Sequence, residues 1–136
     1  MLDQYRELID ELLGAPRIIR GLAGGGALPP EAGLLVAEMR VRDQIALARL
    51  NLILRAPDPR LPDLTAPPPA APGPDLLAEA ESARGDLVSL LMNLTLKDWE
   101  RTALDAAGAE TTLSDEVERH VEFDEAQLDR IRAAVR

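Results

Sequence analysis

The chain has no cysteine and only one histidine, one tryptophan, one tyrosine and one phenylalanine. Without cysteine there is no disulfide, no thiolate nucleophile and no thiolate metal site, and cysteine usage leaves the redox compartment open. One histidine, His120, is too few for a metal site built of imidazoles. Basic residues are scarce too: 15 against 24 acidic ones, for a formal charge of -9. That balance argues against a nucleic-acid or anionic-membrane surface. No apolar run approaches the roughly 20 residues that span a bilayer. The opening MLDQYRELIDELL alternates charges with leucines and lacks the basic-then-apolar layout of a signal peptide, so a cytoplasmic protein is expected. No serine sits in a nucleophile elbow.

What is present is helical patterning in a chain of 136 residues, a length that fits one domain over 1–136 with its own core. Leu2, Tyr5, Leu8, Ile9, Leu12 and Leu13 recur at three and four, as one face of an amphipathic helix does, and Ile18, Ile19 and Leu22 resume the spacing. Gly14 and Pro16 interrupt it; proline donates no backbone N–H, so a break or kink is expected near Ala15. This helix should end at Gly24, Gly25 and Gly26. Those glycines follow a helix instead of a strand and lack a lysine-threonine signature, which sets aside a phosphate loop.

Pro29 and Pro30 suit a helix start, and a second helix is expected over 30–55. Its apolar residues cover more than half the circumference, with Leu34, Leu35, Val41, Ile45, Leu52 and Ile53 on one side and Met39, Leu47, Leu50 and Leu54 spread onto another. A helix so widely apolar is either central to a bundle or shared with a partner subunit. Proline then recurs at nearly every third place over 57–73, an extended and partly polyproline-like connection. Leu76, Leu77, Ala80, Ala83, Leu87, Leu90, Leu91 and Leu94 carry a third helix. Thr95 with Asp98, and Thr112 with Asp115, are capping-box pairs that start a short turn and a last helix. Between them, after Ala106, Ala107 and Gly108, a loop is expected before Thr112. Trp99 reads as the plug of one end of a core. Leu113, Val117, Val121, Leu128, Ile131 and Val135 mark the core side of the last helix. The expected fold is an all-α four-helix bundle with a long Pro-rich connection between its second and third helices.

Three stretches, VAEMRVRDQIALARLNLIL from Val36, LTLKDWERT from Leu94 and TLSDEVERHVEFDEAQLDRI from Thr112, resemble the DinB-like (DinB/YfiT-like) four-helix bundle proteins, and PRLPDL from Pro59 is similar to the usual opening of that family's long connection. The resemblance covers most of the chain. It implies a homodimer, and a divalent metal such as nickel or zinc held by one histidine on the second helix and an HDxxH pair on the last, where i,i+4 spacing turns both imidazoles to one ion. On this sequence those positions fall on Glu38, Phe123 and Gln127, while Asp124 keeps the aspartate. A phenyl ring has no lone pair and an amide is a weak ligand, so no metal site and no catalytic constellation is expected.

The candidate residues form a ligand cleft of Glu38, Arg42, His120, Phe123, Asp124 and Gln127. Glu38, Arg42 and Arg49 lie close to one line of the second helix, either as a polar pocket lining or as an i,i+4 pair of Glu38 with Arg42. Asp124 falls in the middle of the apolar stripe of the last helix, where a carboxylate needs a partner; Arg42 or Arg49 is expected to supply it. A displaced site of Glu38, Glu116, His120 and Asp124 is the alternative for a metal. The function expected is a non-catalytic bundle, homodimeric, with a degenerate metal site and a polar cleft for a small molecule. The alternative is a metal-dependent thiol S-transferase or related small-molecule enzyme with altered ligands, which the resemblance implies for some relatives.

Overall fold

A computed structural model describes residues 2–63 and 72–136. Four long helices, α1 (Asp3–Ala23), α2 (Pro30–Arg55), α3 (Leu76–Met92) and α5 (Leu113–Val135), make the bundle; the short α4 (Leu96–Trp99) and the strands β1 (Thr102–Leu104) and β2 (Glu110–Thr112) lie between α3 and α5. Helices α1 and α2 each pack on both α3 and α5. Going round the bundle the order is therefore α1, α3, α2, α5, and the consecutive pair α1 and α2 face each other across a diagonal. The extended course expected over 57–73 falls outside the described residues for 64–71; ahead of that gap, Arg60 bridges Leu104 of β1.

Local chemistry accounts for the element ends. Gly24 takes the left-handed conformation at φ 61° and donates its N–H to the Arg20 carbonyl, closing α1 as only a residue without a Cβ does cheaply. Pro30 opens α2. Both capping boxes form, Thr95 with Asp98 and Thr112 with Asp115, each hydroxyl accepting from the N3 amide and each carboxylate accepting from the cap amide. The stretch expected as a loop between Gly108 and Thr112 holds β2, the second strand of a small antiparallel hairpin with Thr102 opposite Thr112 and Ala106, Ala107 and Gly108 in its turn. Its turn is tied by Asp105, whose Oδ1 accepts from the amides of Ala107 and Ala109, both at 2.9 Å. Strands of three residues are too short to show a period of two.

The break expected near Ala15 does not occur, because α1 runs unbroken through Pro16. Its buried stripe of Tyr5, Ile9, Leu12, Ala15 and Ile19 keeps helical spacing past the proline. On α2 the structure decides which apolar residues face inward: the buried residues include Val36, Met39, Asp43, Leu50 and Ile53, whereas Leu34 and Leu52 are 46% and 39% exposed. Stepping about 100° per residue places Leu34, Val41, Ile45 and Leu52 on one line. Trp99 does plug one end of the core, 1% exposed and stacked on Tyr5 with ring centroids 4.4 Å apart.

The core divides in two. Tyr5, Leu12, Leu50, Leu87, Leu113 and Val121 belong to one apolar cluster; Ala15, Ile19, Met39, Leu76, Leu128 and Ile131 belong to the other. On every long helix the change of cluster falls where a polar group enters: at Asp43 between Met39 and Leu50, at Arg84 between Leu76 and Leu87, and at Asp124 between Val121 and Leu128. On α1 it falls at the Leu12 carbonyl.

Candidate functional site

Arg84 of α3 is 3% exposed and stands in that dividing layer. Its guanidinium has five N–H groups, and each has an acceptor. Nε and Nη2 donate to the two oxygens of Asp43 at 3.0 and 2.9 Å. Nη1 and Nη2 donate to the two oxygens of Asp124 at 2.6 and 2.8 Å. The second hydrogen of Nη1 goes to the Leu12 carbonyl at 2.7 Å. That carbonyl is available because Pro16, four residues on, has no N–H to give it. One side chain thus joins all four long helices. Burial alone would lower the affinity of Arg84 for its proton, but the hydrogen bonds and charges of Asp124 and Asp43 outweigh it and raise the pKa above the ordinary arginine value. His120 Nε2 lies 2.7 Å from Asp43 Oδ1 and extends the layer along α5.

A second group of arginines lies toward one edge of the α2–α5 interface. Arg49 donates Nη2 to Glu116 Oε1 at 3.0 Å and Nη1 to the Pro62 carbonyl. Arg119 donates to the same Glu116 oxygen and to Thr111 Oγ1, each at 3.2 Å. Arg42 stands over the Phe123 ring, 4.3 Å from its centroid, and that ring is 6.1 Å from His120. A cavity of about 30 Å³, close to the volume of one water, is lined by Arg42, Arg49, Glu116, Arg119 and His120. Burial, and next the neighbouring charge of Arg49, push the Arg42 pKa below its ordinary value, while Glu38 pulls the other way more weakly. One helical turn from Arg42 and Phe123, Gln127 donates to Glu38 Oε2 at 2.8 Å and to the Leu35 carbonyl at 3.0 Å.

The six residues singled out in sequence therefore divide. Arg42, Phe123 and His120 come together, Glu38 meets Gln127, and Asp124 leaves the cleft for the central layer. The expectation that Arg42 or Arg49 partners Asp124 is overturned: Arg84 does. Among the described residues Glu38 and Arg42 form no ion pair. Asp43 and Arg84 went unnoticed, although a signal was present. In Val36, Met39, Asp43, Leu50 and in Leu77, Ala80, Arg84, Leu87, Leu91, a charged residue occupies a three-four position of the apolar stripe, as Asp124 does in Val117, Val121, Asp124, Leu128. Three such positions of complementary charge are a buried network waiting to be matched.

The residues present do not fit a metal ion. The Glu38 carboxylate faces an amide N–H, Phe123 offers no lone pair, both Asp124 oxygens accept from Arg84, and His120 Nε2 is on Asp43. Among the described residues no three His, Cys, Asp or Glu side chains group as an ion would require. Nor, among them, is any helix long and apolar enough to cross a membrane.

No protein-family model matches the chain, and no curated protein does. Among solved structures it is similar to YfiT from Bacillus subtilis, described as a probable metal-dependent hydrolase with an unusual four-helix bundle topology. The TM-score is 0.77 at 16% identity, covering 98% of this chain and 87% of that one. At such identity the likeness carries the fold alone.

Proposed function

From the DinB/YfiT-like fold that the chain shares, we propose that this protein is a non-catalytic member of that architecture, in which an internal guanidinium has taken over the middle of the bundle and the polar cleft beside it holds a small molecule. The observation that carries this reading is the saturation of the would-be ligands: all five N–H groups of Arg84 and both oxygens of Asp124 are engaged with one another and with Asp43 and Leu12. A cation entering that layer would have to displace a buried, doubly bidentate arginine. The cleft left for a ligand is the one lined by Arg42, His120 and Phe123, with Glu38 and Gln127 one turn away. The outer stripe of α2 supports a homodimer, since it is an apolar line on which, among the described residues, Leu34 and Leu52 are exposed and Val41 and Ile45 are only half-buried.

The rival is a metal-dependent small-molecule enzyme, whether a hydrolase such as YfiT is described to be or a thiol S-transferase, and both rivals need an ion. Purified protein separates them. Elemental analysis should find no stoichiometric nickel or zinc, and neither ion should raise the melting temperature, whereas an ion at a hundred times its dissociation constant would add about 2.7 kcal/mol. One bound ion per chain together with a raised melting point overturns the non-catalytic reading. Light scattering on the same sample should give twice the chain mass, falling to the monomer in Leu34→Glu/Leu52→Glu; a monomeric wild type removes the dimer.

A further inference from the structure

The arginine corner beside the cleft has an imbalance of charge that identifies what it takes. Arg42, Arg49 and Arg119 converge on a cavity whose lining holds one carboxylate, that of Glu116, and that carboxylate already accepts from both Arg49 and Arg119 through a single oxygen. Arg42 has no ion-pair partner among the described residues, and its Nε is buried without an acceptor there, as is the Nε of Arg49. The nearest acid along α2, Glu38, is turned to Gln127. Phe123 covers one face of the Arg42 guanidinium and holds it in place, so its free edge is presented instead of swinging in solvent. All this sits in a chain of formal charge -9, where an uncompensated positive corner is against the general trend.

We propose that this corner is a carboxylate-recognition site, and that the small molecule of the cleft is an organic acid whose carboxylate supplies the acid that Arg42 lacks, received by the Arg42 fork beside Arg49 and His120. The inference rests on the reading of the cleft as a ligand site and narrows it to one ligand class. A planar carboxylate matches the fork of a guanidinium in a way a single point charge does not. The room is also small: a cavity of about 30 Å³ takes one carboxylate oxygen, with the rest of the acid left toward solvent. The neighbouring positive charge of Arg49, which weakens the hold of Arg42 on its proton, is relieved when an anion arrives.

Titration of the whole protein with sodium benzoate, with benzamide as its neutral isostere and with inorganic phosphate, followed by amide and arginine side-chain NMR shifts, tests this. Benzoate should move the Arg42 Nε signal and the amides around His120 and Phe123, and bind about tenfold or more tighter than benzamide. Arg42→Gln should remove that preference, Arg42→Lys should keep part of it, and the exposed Arg130→Gln should change nothing. Thermal melts of each variant establish that it is folded. Equal binding of benzoate and benzamide, with shifts at the cleft, overturns the carboxylate assignment and leaves the ligand cleft standing. Phosphate binding in preference to benzoate also overturns it. No shift with any of the three sinks both the assignment and the cleft.

Discussion

The two arginine clusters, one centred on Arg84 of α3 and the other at the edge of α2 and α5, differ in completeness. Around Arg84 every donor has an acceptor within hydrogen-bonding distance, and the group links four helices. Around Arg42 the donors outnumber the acceptors, and burial together with a like charge lowers its pKa. A satisfied buried ion pair is a structural device, since its desolvation cost is offset by bidentate geometry. An unsatisfied, half-buried cation at an opening is a poor structural device and a good receptor for an anion. The same residue type thus serves opposite ends according to whether the chain supplies its counter-ion.

Substitution at Arg84 should break this contrast most sharply. Arg84→Met leaves Asp124 buried and unpaired and Asp43 with His120 as its one remaining partner, at an expected loss of about 3–5 kcal/mol in denaturant melts. Replacing all three at once, Arg84→Met with Asp43→Leu and Asp124→Leu, should recover most of that loss, because the desolvation cost of the charges goes with them. If the triple variant is as unstable as the single one, the layer is not an isolated ionic network. Arg49→Met should fall between, at about 1–3 kcal/mol, because Glu116 keeps Arg119 as a second partner but the Pro62 carbonyl loses its donor.

The smallest effect, and the one of opposite sign, belongs to Arg42. Its pKa is lowered, so the folded state disfavours its charge; removing that charge should be neutral or stabilising by at most about 0.5 kcal/mol. The sign has a pH consequence: the penalty is present at all pH values below the lowered Arg42 pKa and vanishes as pH rises through it. Arg42→Met and wild type should therefore differ by the same small amount from pH 6 to 9. A loss of more than about 1 kcal/mol in Arg42→Met would place the residue with Arg84 as a structural member and remove the comparison.

Much of the fold was legible in the residues because helices are local. Thr95 with Asp98 and Thr112 with Asp115 mark their starts in sequence, and the boxes form as read. The stripe Leu113, Val117, Val121, Leu128, Ile131 gives the core side of α5, all five being buried. The break expected at Pro16 does not occur for a reason that is not local. The helix survives its missing N–H because the orphaned Leu12 carbonyl finds a donor on α3, 72 residues away. On α2 a residue count of apolar positions left open which side faces the core, since apolar residues take more than half its circumference. In the site, the pairing of Glu38 with Gln127 joins positions that the sequence reading had placed together. The partner of Asp124 was missed because periodicity assigns a residue to a face and says nothing of which helix lies opposite.

From its residues alone the protein was committed to a bundle of amphipathic helices, to their capped starts, and to a single imidazole, His120, since each of these depends on spacing within one helix or on side-chain identity. The choice of Arg84 over Arg42 or Arg49 as the counter-ion of Asp124 was made by the tertiary structure, through the order α1, α3, α2, α5 around the core. That order puts Arg84 at the one level where two aspartates and a proline-freed carbonyl can all be reached, and leaves Arg42 at an edge with no acid of its own. Electrostatic pairing acts over a few ångströms in space, and no pattern along the chain encodes that distance.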